Sequence, residues 1–365
     1  MLNPSRQDSP LQGSVLFFAL FDVCEEIDLG ELVRMLGLKP GVRSFKHSAP
    51  EYVRFQRAPV EDQFDVTGIS GFPPMTGKIK YFDYGVVSLV FEAPFQGGWE
   101  DMVESASRWL ASTEFELYAE KVARRKVAET SAALIHPYET WLSEDYLVFY
   151  VESQDNSPTA SELRAQHGTD IARVVRGDPN TLSSQEYEEV LRDSISYYPN
   201  DLAIIGWNAA FIYDTKVGAE TTIQLLEYAN SQLLEFRHYD ELLSKELVSV
   251  NDALRKRGGV FDKWRLGREA SKLQAVAVEI TELVEQADNS IKFLSDMFSA
   301  RLYRLAASKV GVQDYKRLVN QKLHTAEALY DFLSRQFHEG RGFVLELMVV
   351  IILVIELIYL FRGKM

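Results

Sequence analysis

Cysteine and enzyme motifs are scarce in this 365-residue sequence. Its one cysteine, Cys24, excludes a disulfide framework and a cysteine-based metal cage, and it suits a reducing compartment. The sequence contains no P-loop, no G-x-G-x-x-G after a strand, no H-E-x-x-H and no G-x-S-x-G. Its six histidines are far apart, so none pairs with another at metal-ligand spacing. We therefore predict no catalytic residue, no cofactor and no metal site, in a protein that is not an enzyme.

Positive charge is scarce in the first two-thirds of the chain. The whole sequence has 39 basic and 53 acidic residues, for a net charge of −14. Residues 1–250 hold 21 basic and 39 acidic residues, a net −18, whereas residues 251–365 hold 18 and 14, a net +4. Nucleic acid and anionic lipid repel a net acidic surface. Such partners are therefore disfavoured for the first part and favoured for the last.

Long apolar runs are rare, with one exception near the C-terminus. Residues 343–361 read FVLELMVVIILVIELIYLF. As a helix, this segment spans roughly 28 Å, close to the ~30 Å hydrocarbon core of a bilayer. It predicts a transmembrane helix, and a buried core helix is the alternative. The predicted anchor residues are Phe343, Leu347, Ile351, Val354, Ile358 and Phe361.

Two acidic residues interrupt this segment, Glu346 and Glu356. They lie near its two ends, where a carboxylate reaches the lipid headgroups or is protonated at reduced cost. Alternatively, they hydrogen-bond between packed helices and indicate an oligomer. The apolar residues 15–21 are too few for an export signal. We therefore predict a tail-anchored, single-pass membrane protein with most of the chain in the cytoplasm.

The residues before this segment show strand and helix patterns. Aromatic and β-branched runs predict strands at 15–22, 52–57, 79–82, 86–92 and 146–152, with helices between them. The order β-α-β-β-α-β predicts an α+β fold with an N-terminal ferredoxin-like α/β sandwich, followed by long antiparallel helices and the transmembrane helix. The predicted domains are 1–152 (α+β domain), 153–200 (connector), 201–311 (strand hairpin and long helices), 312–342 (membrane-proximal helix) and 343–361 (transmembrane helix).

Apolar residues near the C-terminus recur at alternating spacings of four and three. The row begins at Val319 and Leu323 and continues through Ile351 and Val354 to Phe361. A seven-residue repeat of this length predicts a helical hairpin or coiled-coil stalk, and a homo-oligomer formed through it. Upstream, the polar residues 237–241 (RHYDE) point in different directions on a helix, which predicts a solvated or stalk-packing role.

Basic residues cluster on the predicted membrane-proximal helices. Clusters of this kind are either solvated helix faces or contacts to lipid headgroups or an anionic partner such as RNA. The candidate partner or lipid patch contains Arg255, Lys256, Arg257, Lys263, Arg265, Arg268, Lys316, Arg317 and Lys322.

Several stretches together carry a family resemblance. The run YKRLVNQKL (315–323) and the closing VLELMVVIILVIELI (344–358), with its Leu-Glu and Ile-Glu pairs, are the main ones. They resemble the end of the family named for "required for meiotic nuclear division", also called Sad-interacting factors. The resemblance implies a mostly non-enzymatic, membrane-associated protein. It also implies kinship to mitochondrial tethers that support translation at the inner membrane, and it identifies no catalytic residue.

These patterns lead to two main hypotheses. The first is a non-enzymatic, tail-anchored scaffold that links a translation-related, ribosomal or RNA-containing partner to a lipid bilayer. The alternative is a membrane-bound enzyme or ligand sensor with a pocket in the α+β domain. A third possibility is that Glu346 and Glu356 line a small oligomeric pore.

Overall fold

The computed structural model describes residues 10–37, 58–69, 71–154, 157–255, 260–292 and 297–362. Within these ranges the side chains of 260–266, 283, 286–292, 336–348 and 357–362 are not described. The predicted strand 52–57 therefore lies outside the described residues. The chain divides into two compact units. One is Met1–His238 with Ala287–Tyr315, and the other is Tyr239–Gln286 with Lys316–Met365.

A mixed sheet forms the centre of the first unit. Over the described residues its seven strands are β1 (Leu11–Ile27), β2 (Val60–Phe64), β3 (Thr76–Tyr81), β4 (Val86–Gly97), β5 (Leu134–Glu152), β6 (Leu202–Ile205) and β7 (Ala209–Asp214). Their spatial order is β2-β3-β4-β1-β5-β7-β6. Neighbouring strands are antiparallel except β5 and β7, which are parallel.

Helices cover both faces of this sheet. The helices of the described residues are α1 (Leu29–Met35), α2 (Trp99–Leu110), α3 (Thr113–Glu129), α4 (Ala160–Arg176), α5 (Ser184–Arg192), α6 (Lys216–Arg255), α7 (Val260–Lys292), α8 (Met297–Val310) and α9 (Val312–Arg362). One face packs with α2, α3, α4 and α5 into the main hydrophobic core. The other face meets α6 and α8, whose Tyr228 and Tyr303 rings lie 5.5 Å apart. Because both faces are covered, the central strand β1 is apolar without alternation.

A bulge lies where β1 pairs with β5. The pairing shifts between Asp22 and Cys24, whose partners are Leu142 and Pro137. The turn between β3 and β4 approaches this bulge closely at Gly85. Gly85 has a φ of +90°, and a Cβ there would lie 1.8 Å from the carbonyl oxygen of Cys24. Only glycine fits this contact, which holds the β3–β4 turn against the end of β1.

In the second unit, the described residues form three helical segments, which belong to α6, α7 and α9. Helix α7 runs antiparallel to α6, since Lys272 lies 2.6 Å from Glu246 and Ser249 lies 3.0 Å from Glu269. Helix α9 packs beside α6, where Lys322 Nζ lies 2.5 Å from Asp240 Oδ1. The α9 residues Val319, Leu323, Ala326 and Leu333 are buried.

The predicted fold class is wrong for the first unit. The sheet has seven strands in the described residues, more than the predicted ferredoxin-like sandwich, and it includes β6 and β7 from beyond residue 200. Helices α4 and α5 occupy part of the predicted connector. Strand β7 pairs with β5 and thereby satisfies backbone groups that would remain unpaired at the edge of a smaller sheet.

The predicted transmembrane helix is also wrong. Among the described residues, no helix combines the length and the apolar character needed to cross a membrane. Of the 19 residues of the predicted span, the side chains described are those of 349–356, and they include the charged residue Glu356. The predicted tail anchor and membrane location are therefore corrected as well.

Residues predicted to form the anchor fall into two groups. Ile351 and Val354 are 48% and 49% exposed on α9, and Glu356 is exposed. The remaining side chains lie outside the described set: Phe343, Glu346, Leu347, Ile358 and Phe361.

Candidate functional site

Helix α6 presents a row of polar side chains to the sheet. Glu227, Ser231, Glu235 and His238 are spaced by four, four and three residues, so they share one helix face. We call these four residues the polar row. The first three are buried. Ser231 Oγ lies 2.7 Å from the hydroxyl oxygen of Tyr84, and burial raises the pKa of Tyr84 well above its usual value.

The first member of the polar row forms a buried ion pair. Lys80 Nζ of β3 lies 2.5 Å from Glu227 Oε2, and Ser88 Oγ of β4 donates to Glu227 Oε1 at 2.7 Å. Glu61 lies 3.5 Å from the same Lys80 nitrogen. Burial alone lowers the pKa of Lys80, but the charges of Glu227 and Glu61 outweigh burial and raise it. Lys80 therefore stays charged and fixes α6 to β3 and β4.

The last member of the polar row pairs with β1. His238 Nδ1 lies 2.8 Å from Asp22 Oδ2, and the His238 ring stacks on Tyr138 with centroids 4.8 Å apart. The side chain of Asp22 is 3% exposed and that of His238 is 23% exposed. Burial raises the pKa of Asp22, although its hydrogen bond to His238 and the His238 charge oppose that effect. This contact joins α6 to the bulged end of β1.

The neighbours of this pair hold their protons. The Cys24 thiol donates to the carbonyl oxygen of Glu26 at 3.2 Å. Burial, followed by the charge of Asp22, raises the pKa of Cys24 to about 12, so little thiolate exists at neutral pH. Burial likewise raises the pKa of Tyr138. An Asp–His pair needs a nucleophile that it can deprotonate, and these two groups are poor ones.

Metal chemistry finds no support in the described residues. They bring together no group of three or more His, Cys, Asp and Glu side chains that could hold an ion. What the polar row can do is attach α6 to three strands of the sheet. Its polar groups meet partners on β1, on β3 and β4, and in the turn between β3 and β4.

The structure gives two residues of the 237–241 cluster a different role from the predicted one. Arg237 forms an ion pair with Glu144 of β5 and donates to the carbonyl oxygen of Ser143 at 3.2 Å. His238 pairs with Asp22, as described above. Sequence reasoning missed this attachment. The available signal was the four-four-three spacing from Glu227 to His238 within an otherwise apolar helix segment.

The predicted basic patch is placed only in part. Lys322 is bound within the second unit, because its Nζ also lies 2.6 Å from Ser244 Oγ of α6. Arg255 ends α6 and is exposed, and Arg268 lies on α7. Lys316 and Arg317 lie in the first turns of α9. Lys256 and Arg257, and the side chains of Lys263 and Arg265, lie outside the described residues. A role for this patch stays a prediction.

Comparison with known proteins gives two matches. The model of a family described as "Uncharacterized protein MJ0711, N-terminal domain" matches residues 12–220. A curated relative, "Uncharacterized protein MJ0711" of Methanocaldococcus jannaschii, is 20% identical over 188 residues, which is 52% of this chain and 58% of the relative. The match thus spans less than two-thirds of the relative's length. No solved structure matches this chain significantly.

These matches correct the family resemblance inferred from the sequence. Neither points to the "required for meiotic nuclear division" family, so that assignment is wrong. The runs at 315–323 and 344–358, which carried most of the resemblance, lie beyond the matched residues 12–220. Short apolar and basic helical runs recur in unrelated proteins, because they follow from helix packing alone.

Proposed function

We propose that this chain, which belongs to the family described as "Uncharacterized protein MJ0711, N-terminal domain", is a non-enzymatic scaffold. It self-associates through α9. The observation that carries the proposal is an exposed apolar segment. Residues 349–355 are seven consecutive apolar side chains, each 48–57% exposed in the single chain. A helix that is apolar on every side is stable in water only when something covers it.

This segment extends beyond the helices that pack beside α9. Lys322 of α9 lies beside Asp240 of α6. Beyond Lys322, α9 stays with residues 239–286 and not with the part of α6 before residue 239, so the two helices run parallel. From Lys322 and Asp240 onward, α6 continues about 22 Å to Arg255, whereas α9 continues about 40 Å before it reaches Val349. The apolar segment therefore starts about 18 Å past the end of α6.

The sequence repeat favours a second copy of the chain as the partner that covers the apolar segment 349–355. Four residues of the apolar row, Val319, Leu323, Ala326 and Leu333, are buried in the part of α9 that packs beside α6. The same spacing of four and three continues to Ile351 and Val354, which are about half exposed in the single chain. An apolar repeat that continues past the helices packed against it fits the identical repeat on the same helix of another copy. Because 349–355 is apolar all round, one extra helix leaves part of it in water, and we expect more than two copies.

The polar row supports a scaffold more than an enzyme. Its charged groups pair with residues of the sheet and attach α6 to it. Cys24, next to the Asp22–His238 pair, keeps its proton at neutral pH. These contacts hold residues 227–238 of α6 on the sheet of the first unit.

Light scattering on the full chain tests the proposal. The wild type is expected at a discrete mass of three or more times 41.6 kDa. The double variant Ile351→Glu/Val354→Glu is expected at the monomer mass, because it places carboxylates in the apolar contact. Leu318→Glu/Phe332→Glu is the matched control. These two α9 residues are exposed apolar side chains, at 42% and 46%, on the part of α9 that has its own neighbours.

Three results would overturn the proposal. They are a monomeric wild type, an aggregate of no fixed mass, and an equal loss of mass in both double variants.

A further inference from the structure

Two adjacent tyrosines are held outward by a buried carboxylate in the first unit. The two carboxylate oxygens of Asp201 accept the backbone N–H groups of Tyr197 and Tyr198, each at 2.7 Å. Asp201 is 8% exposed, whereas each tyrosine is 61% exposed. Ser196 Oγ also donates to the Tyr198 carbonyl oxygen at 2.7 Å. The turn is thus fixed before any ligand arrives, which lowers the entropy lost on binding.

The two rings present faces and edges in different directions. Their centroids lie 4.7 Å apart, at an interplanar angle of 84°. The Tyr197 ring also contacts the ring of Phe298, in the first turn of α8, with centroids 5.1 Å apart. Tyr197 is therefore held by α8 as well as by its own turn.

Helix α8 places two arginines next to this aromatic group. Arg301 and Arg304 follow Phe298 by three and six residues and are exposed, whereas Leu302 and Tyr303 between them are buried. Arg301 is a helix neighbour of Phe298 at a spacing of three residues, and Arg304 is a neighbour of Arg301 at the same spacing. We call Tyr197, Tyr198, Arg301 and Arg304 the tyrosine–arginine surface.

This surface is locally positive within an acidic unit. Helix α8 carries three basic residues and no acidic one. Lys309 lies 2.7 Å from Asp193, but across the described part of the chain no ion pair engages Arg301 or Arg304. The turn 194–200 has no charged side chain. The acidic residue that follows it, Asp201, is buried, and its two oxygens accept the N–H groups of the turn. Both arginine side chains are exposed, and within the described ranges neither has a carboxylate partner.

We infer that the tyrosine–arginine surface binds single-stranded nucleic acid. Unpaired bases offer flat faces that stack on tyrosine rings, and the backbone of the same strand offers phosphates to guanidinium groups. A duplex hides its base faces, and an acidic polypeptide satisfies only the arginines. A single strand of RNA or DNA uses both halves of the surface.

Fluorescence anisotropy with labelled oligouridylate and oligothymidylate of 12 nucleotides tests this inference on the full chain. Binding is expected at 50 mM KCl and is expected to weaken about sevenfold at 200 mM, as two phosphate contacts predict. The variant Tyr197→Ala/Tyr198→Ala is expected to bind at least tenfold more weakly, with an unchanged circular dichroism spectrum. A preference between the two oligonucleotides identifies RNA or DNA as the ligand, and binding of either supports the inference.

A matched pair of charge reversals separates this surface from general electrostatics. Arg304 donates through Nε to the Ala300 carbonyl oxygen at 3.2 Å, and Arg335 of α9 donates to Asp331 in the same way at 3.2 Å. Arg304→Glu is expected to weaken binding at least fivefold, and Arg335→Glu less than twofold.

The inference is overturned by any of three results. One is no binding of either oligonucleotide at 50 mM KCl, and another is equal weakening by Arg304→Glu and Arg335→Glu. The third is displacement of the oligonucleotide by polyglutamate as effectively as by an unlabelled single strand, which would assign the surface to an acidic protein.

Discussion

His238 Nδ1 lies 2.8 Å from Asp22 Oδ2 and connects α6 to the bulged end of β1. His238 is the last residue of α6 in the first unit, and Tyr239 begins the second. The contact therefore fixes α6 to the sheet at the point where the helix passes from one unit to the next. Its strength depends on pH, because burial raises the pKa of Asp22.

Replacement of His238 by leucine is expected to destabilise the protein more at pH 7.5 than at pH 5. The variant removes the His238 charge that opposes the effect of burial on Asp22, so the pKa of Asp22 rises further. A carboxyl whose folded-state pKa is raised loses stability as pH rises through that pKa, because the unfolded chain releases the proton first. We expect a loss of about 3 kcal/mol at pH 7.5 and a smaller loss at pH 5, measured by urea unfolding.

The double variant Asp22→Asn/His238→Leu is the control for that experiment. It removes the buried charge, so it is expected to recover most of the lost stability at pH 7.5 and to show little difference between the two pH values. Equal destabilisation of His238→Leu at both pH values would contradict the role given to Asp22.

Removal of Glu227 is expected to cost more than removal of its whole ion pair. Glu227→Leu leaves the largely buried ammonium of Lys80 with only the more distant Glu61. We expect a loss of about 3 kcal/mol in the free energy of unfolding. The double variant Lys80→Met/Glu227→Leu is expected to lose less, since no buried charge remains. Additive losses in this double-mutant cycle would show that the two residues do not interact.

Asp214, at the end of β7, is expected to give a pH dependence in the acidic range. Burial raises the pKa of Asp214 to about 6, although its carboxylate accepts the Thr215 N–H at 2.6 Å. The stability that this group contributes is complete below pH 4 and is lost as pH rises to about 6. Asp214→Asn keeps an acceptor oxygen and removes the titration. The wild type minus variant difference in unfolding free energy should therefore fall between pH 4 and 6, and a flat difference would refute the shifted pKa.

The sequence predicted those parts of the fold that depend on local pattern. Apolar runs marked β1 and β4, and both are buried strands of the sheet. The addition of β7 to the sheet was not predictable in this way, because its pairing with β5 depends on residues about 60 positions apart. Hydropathy led to the wrong prediction of a transmembrane helix at 343–361, because it too describes only the local sequence. It reports that a side chain avoids water, and it does not say what replaces the water.

The candidate site was the least predictable part. Lys80 and Glu227 are 147 residues apart in the sequence, and nothing local to either residue identifies the other. The sequence predicted a solvated or stalk-packing role for His238, because consecutive polar residues at 237–241 point in different directions on a helix. Only the folded sheet brings Asp22 to it.

Disulfide crosslinking at α9 tests the central claim, self-association of this helix, most directly. The native Cys24 is buried, so Val354→Cys introduces the one exposed thiol of the described residues. Val248→Cys, at an α6 position that is 59% exposed, is the control. Identical residues of a parallel helix row lie close enough for a disulfide. The account predicts a covalent dimer on a non-reducing gel after mild oxidation of Val354→Cys and none for Val248→Cys. Absence of that dimer, or equal crosslinking at both positions, would contradict it.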